Sequence, residues 1–178
     1  MTITVIQAEA HGVTGTRPDG TPFLARSLED VAPRGWYRLL RLPPGTDRAR
    51  VLEFGRHEVG NRYGFLTIAS IGIEKATPIW LHVPFRRPGT WVCSALGAEA
   101  VARGGWYHRW PDIYSVTPAE AMHALLESGA VEITAEEAQP GDVGFCHSAG
   151  FVGAAIRFAQ RGLPDADINH MFIIDRRD

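Results

Sequence analysis

Lysine is almost missing from this chain: of 18 basic residues only Lys75 is one, a bias that points to a GC-rich coding genome rather than to chemistry. Cysteine is also scarce. Two residues, Cys93 and Cys146, are too few for an all-cysteine zinc site and argue against a disulfide framework. The seven histidines are scattered, with no HExxH and no paired CxxC, so neither a structural metal nor a cofactor is expected. No apolar run approaches the roughly 18 residues of a membrane span. The opening MTITVIQAEAHG has neither the basic region nor the long apolar region of a secretion signal. The expectation is a chain without a membrane span, cytoplasmic as synthesised. A formal net charge of −2 gives no reason to expect nucleic acid or an anionic membrane as the main partner.

What is present suits a globular protein. With 178 residues, 45% apolar and 21% charged, the chain is long enough for one domain, residues 1–178, with its own core. Residues 2 to 7 alternate β-branched side chains as a strand does, and TGTRPDGT (14–21) carries the Pro, Asp and Gly of a tight turn. A further strand is expected at Trp36 to Leu42, before Pro43-Pro44-Gly45. Asp47 caps a helix to about Val59, and the apolar run Tyr63 to Ile73 reads as a buried segment, by preference helical. Cys93 begins an Ala-rich helix that Gly104-Gly105 ends, and Thr117-Pro118-Ala119-Glu120 starts another, running to about Ser128. Val143 to Cys146 reads as a core strand, Gly150 to Gln160 as an amphipathic helix, and His170 to Ile174 as a strand led by histidine. The fold class is therefore α+β.

Two of these elements carry reactive side chains. A thiol is a nucleophile as the thiolate, and a helix N-terminus supplies N–H groups and partial positive charge that favour it. Cys93 has that setting, although a small buried hydrophobe has it too. A histidine held on a strand accepts the thiol proton while a third polar group fixes its tautomer, and His170 is the best-placed base. Cys146 and His147 are neighbours on a strand and point to opposite faces. They read as core and surface.

The segment WVCSALGAEAVARGG resembles the nucleophile helix of the NlpC-type and permuted papain-like cysteine peptidases, in which an aromatic or aliphatic pair precedes Cys-Ser. PGDVGFCHSAGFVGAAIRFAQRGLPDADINHMFIID is similar to that superfamily's Pro-Gly-Asp strand, intervening helix and His-led strand. Arg41, the helix of Asp47 to Val59 and Tyr63 are similar to the landmarks upstream of the Cys in the YiiX-like permuted branch. In that branch the Gly-Asp strand and the His precede the Cys, whereas here they follow it. A circular shift reconciles the two orders, with HMFIIDRRD running into MTITVIQAEAHGV as neighbouring strands and residues 1 and 178 adjacent.

The resemblance implies a papain-like fold, a central antiparallel sheet packed against helices with the nucleophile at a helix N-terminus. It implies Cys93 as nucleophile, His170 as base and Glu9 as the third polar residue, with Gln7, on the same strand face, in reserve. Glu9 has an equally ordinary reading as a solvent-facing carboxylate on an edge strand. Tyr63, Ser94 and Trp106 are the candidates for oxyanion and substrate contacts, Tyr63 beside the Cys93 backbone N–H. Among the other aromatics, Trp80 and Trp91 read as core, and Trp110, like Trp106 in a Gly/Pro-flanked loop, is open to either a core or a groove reading. The implied activity is hydrolysis of an amide bond, most plausibly in a peptidoglycan-type peptide, with ester and thioester substrates open to the same chemistry. The alternative is a non-catalytic or delivery component of a larger phage or secretion assembly, which would also carry the protein to the cell wall.

Overall fold

The computed structural model describes residues 2–76, 89–106 and 113–177. In chain order its elements are β1 (Ile3–Glu9), β2 (Gly12–Thr16), β3 (Pro22–Phe23), β4 (Arg26–Ser27), α1 (Leu28–Val31), β5 (Tyr37–Arg41), α2 (Arg48–Glu58), β6 (Arg62–Tyr63), α3 (Phe65–Ala76), β7 (Thr90–Trp91), α4 (Cys93–Arg103), α5 (Pro118–Glu127), β8 (Val131–Ile133), β9 (Val143–Cys146), α6 (Phe151–Ala159) and β10 (His170–Arg177). Eight strands form one sheet, ordered β3-β2-β1-β10-β9-β5-β8 with β4 on β1, and every pairing in it is antiparallel. The architecture is α+β. Strands β6 and β7 form a separate parallel pair.

The expected helices form where their end signals stand. Asp47 accepts from the Ala49 and Arg50 N–H groups at the start of α2. Thr117 and Glu120 make a reciprocal capping box at α5 around Pro118, satisfying N–H groups that lack a partner inside the helix. The run after Tyr63 is helical, as preferred, but it is not wholly buried: Phe65 and Leu66, at its first turn, are more than half exposed. Strand β8 and helix α1 lie in segments whose sequence was not read as regular structure.

Helix α4 is the centre of the molecule. Cys93, Ser94, Ala95, Leu96, Gly97, Ala98, Ala100 and Val101 are all buried, so nearly its whole circumference faces protein, which small residues permit. It lies against β1 and β10 on one side and α2 and α5 on the others. Gly97 sets the closeness of that approach, since a Cβ there would lie 2.5 Å from Met171 Sδ. The opposite sheet face holds a second cluster of Ile3, Val5, Leu39, Cys146, Phe172 and Ile174. The Pro-Gly-Asp turn ahead of β9 is held by charge. Asp142 is fully buried, accepts from the Gln139 N–H at 2.9 Å, and lies 3.4 Å from Arg41 and 3.3 Å from Arg48. Two cations and a backbone donor thus offset the desolvation of one carboxylate.

The two ends of the chain run side by side. Ile3 pairs with Arg177 and Thr4 with Arg176 in the β1–β10 ladder, so the strands expected to be neighbours are neighbours; residues 1 and 178 themselves lie outside the described residues. Past Ile6 the ladder parts: β1 turns to pair Gln7, Ala8 and Glu9 with Thr14, Val13 and Gly12 of β2. The fork between β1 and β10 opens beside the start of α4. Among the described residues no helix is long and apolar enough to cross a membrane.

Candidate active site

The cap at the start of α4 is incomplete, and that incompleteness serves the thiol. Val92, the N-cap residue, is extended and its side chain cannot accept a hydrogen bond, so first-turn N–H groups that a Ser or Asp would occupy stay available. The N–H groups of Cys93 and Ser94 favour a charged sulfur, as does that of Met171 on β10. The thiol in turn lies 3.9 Å from the Asn169 carbonyl, to which it donates. Its contacts with Asn169 and Met171 bracket His170, so the sulfur sits in the fork against the backbone that carries the imidazole.

His170 Nε2 lies 2.6 Å from Gln7 Oε1. A carboxamide oxygen only accepts, so Nε2 carries the proton and Nδ1 is left as the basic nitrogen. Gln7, 3% exposed, is the direct partner of the ring. Glu9 stands one step behind it: its Oε2 accepts from Gln7 Nε2 at 3.4 Å and its Oε1 lies 3.6 Å from Arg26 Nε. Of the two candidates on this strand face, it is Gln7, held in reserve, and not Glu9 that touches the imidazole. Strand alternation puts both on one face, but it is the point where β1 leaves β10 that decides which reaches the imidazole.

Burial dominates the electrostatics. It pushes the Cys93 thiol up to about 11, against the pull of the three N–H groups. It pushes His170 down to about 4. At rest the thiol and the imidazole are therefore both neutral, because burial penalises the charged form of each more than their partners favour it. Tyr63 is raised as well, by its own burial and by its nearness to Cys93, so it stays a phenol and a donor.

A cleft of about 1220 Å³ lies over His170. Gln7, Glu9, Tyr63 and His170 line it, with Trp36 and His147 on one wall and the segment from Ser148 to Gly153 on another. The His147 ring meets Trp36 edge to face at 6.2 Å. Asn169, fully buried, pins the last wall: its amide oxygen accepts from the Ser148 N–H at 2.6 Å and its amide nitrogen donates to the Ser148 and Gly153 carbonyls at 2.9 and 3.2 Å. Cys93, 1% exposed, does not line this cleft.

Of the residues singled out from sequence, His170, Gln7, Glu9 and Tyr63 line the cleft, while the Cys93 sulfur meets the backbone of Asn169 and Met171 on either side of His170 without lining it. Neither Ser94 nor Trp106 lines the cleft. The Ser94 side chain faces a separate small cavity formed with Ile68, Val116 and Ile156, leaving only its backbone N–H at the sulfur. Trp106 lies beyond the far end of α4, roughly 16 Å of helix away from the thiol, packed on the core. Trp91 is core, as expected, donating to Glu58 at 2.6 Å and stacking on Tyr114. Trp80 and Trp110 lie outside the described residues. Cys146 is core as expected and stands directly across the ladder from His170, but its sulfur meets the Val31 carbonyl, an acceptor that favours the thiol, and burial lifts it to about 12. His147 is exposed as expected, yet it forms part of the cleft. Asn169 and the Ser148–Gly153 segment were not anticipated; the signal lay in Gly153, where a Cβ would sit 2.5 Å from the Ser148 carbonyl.

No protein-family model, no curated protein and no solved structure matches this chain.

Proposed function

We propose that the protein is a papain-like cysteine hydrolase that cleaves an amide bond, with Cys93 as nucleophile, His170 as base and Gln7 as the group that orients the base. The observation that carries this reading is one of convergence: three backbone N–H groups aim at the Cys93 sulfur in the fork where β10 presents His170, its tautomer set by Gln7. No such donors surround Cys146, the other thiol near this histidine.

In the reaction, His170 Nδ1 takes the thiol proton as sulfur attacks the substrate carbonyl. The oxyanion that forms accepts from the backbone N–H at the α4 terminus and from the Tyr63 hydroxyl. Collapse breaks the C–N bond, and the imidazolium returns the proton to the leaving amine. Water then hydrolyses the thioester, giving the acid and restoring the thiol. Because Cys93 is 1% exposed, a substrate reaches the sulfur only once the groups that cover it move aside. A peptide of the cell-wall type fits the proposed chemistry, and ester and thioester substrates would follow the same steps.

A second reading, in which the domain binds or delivers without catalysis as part of a phage or secretion assembly, draws on the same burial of Cys93 and on the high pKa that burial imposes. Hydrolysis of peptidoglycan fragments and short peptide amides, followed for the wild type and for Cys93→Ala and His170→Ala, separates the two. Release of new amine by the wild type and its loss in both variants supports the hydrolase. Full activity in Cys93→Ala overturns it, and inertness of the wild type together with failure of small alkylating reagents to modify Cys93 supports the second reading.

A further inference from the structure

We propose that Glu9 is a positioning residue that fixes the tautomer of His170 by holding the Gln7 amide in one orientation. The inference rests on the reading of His170 as the base, but its test needs no substrate.

An amide can turn over about its last bond at little steric cost, and Gln7 presents either its oxygen or its nitrogen to His170 unless something distinguishes the two ends. Glu9 does so. Its carboxylate only accepts, and it lies 3.4 Å from the Gln7 nitrogen. In the reversed orientation two oxygens would face each other there, and the amide N–H groups would face the imidazole. His170 would then have to offer Nε2 as an acceptor, moving its proton to Nδ1, the nitrogen that must be free to take the thiol proton. The carboxylate is itself steadied by Arg26 at 3.6 Å, from strand β4, which pairs with β1 at Val5. Arg26, Glu9, Gln7 and His170 thus form one chain of contacts leading to the ring. Gln7 is almost wholly buried, so water does not readily replace the carboxylate in distinguishing the amide's ends.

The test is the tautomer itself, read from the ring-nitrogen chemical shifts of His170 in the unliganded protein at pH 7. In the wild type Nε2 is expected to resonate as a protonated nitrogen and Nδ1 as a bare one. Glu9→Gln offers Gln7 both a donor and an acceptor, so the two resonances are expected to move towards each other as the tautomers mix. The exchange pair Gln7→Glu with Glu9→Gln puts an acceptor-only carboxylate directly at the ring and is expected to restore the single Nε2–H form. A purely structural role for Glu9 would change stability without moving these shifts. Wild-type shifts in Glu9→Gln, or an Nδ1–H form in the wild type, overturn the proposal. Absence of hydrolysis with the predicted shifts intact would instead count against the catalytic reading alone.

Discussion

Acidification is expected to remove stability through His170 in a defined window. An exposed imidazole takes its proton near 6.5, and burial lowers this one to about 4. As the pH falls below 6.5 the unfolded chain binds a proton at this position that the folded protein refuses. The stabilisation is therefore complete above pH 6.5 and lost by the time pH 4 is passed. The difference between the two values corresponds to about 3 kcal/mol, against a total of about 5–15 kcal/mol for an ordinary domain. With 8% of its surface exposed, the ring has little access to the water that would screen the effect. Urea unfolding at pH 7, 5.5 and 4 of the wild type and of His170→Gln, which retains a polar group opposite Gln7 but cannot titrate, isolates this residue. Carboxylate protonation weakens both proteins alike, and the wild type is expected to lose about 3 kcal/mol more than the variant. Parallel loss in the two would refute the reasoning, and so would an imidazole that titrates at or above 6.5. The second result would mean that burial does not hold the imidazole neutral as described above.

The thiols set the opposite limb. Cys93 is raised from 9.0 to about 11, so its contribution is complete below pH 9 and lost as the pH rises through 11, about 3 kcal/mol in all; Cys93→Ala should lose less than the wild type over that interval in the same unfolding assay. Gly144→Ala would set a Cβ 2.2 Å from the Phe172 ring and 2.8 Å from Leu39, and because the ring is walled in by core the expected cost is about 2–3 kcal/mol, visible as a lower unfolding midpoint. Gly153→Ala forces apart the Ser148–Asn169 clamp; loosening that cleft wall should raise the alkylation rate of Cys93 several-fold while leaving that of Cys146 unchanged.

Much of the fold was legible because its signals are local. Asp47, Thr117 with Pro118 and Glu120, and the histidine leading β10 each act within one turn or one strand. The capping box of Ser27 and Asp30 at α1 is equally local, and its four-residue helix is too short for periodicity to reveal. The distance of Trp106 from the thiol was also implicit, since a helix starting at Cys93 carries residue 106 to its far end. What sequence could not supply is long-range register. Whether Gln7 or Glu9 meets the imidazole depends on where β1 exchanges β10 for β2 as its partner. That Cys146 faces His170 across the ladder depends on the register of β9 on β10, and that the Cys93 sulfur meets the backbone of Asn169 and Met171 depends on the packing of α4. The exposure of Phe65 and Leu66 is likewise a matter of what the rest of the chain does not cover.

The pairing of Ile3 with Arg177 also bears on how the site comes into being. Its central ladder joins segments separated by almost the whole chain, and closing so long a loop is slow because the entropy is lost before any contact is gained. The hydrogen bond between Gln7 and His170 spans the same gap, so it forms only when that closure is made. A chain still being synthesised, or a compact intermediate with β1 undocked, holds Cys93 and His170 but lacks the contact between Gln7 and the imidazole. Under the proposed function, the imidazole would thus be oriented only after the two ends of the chain have met.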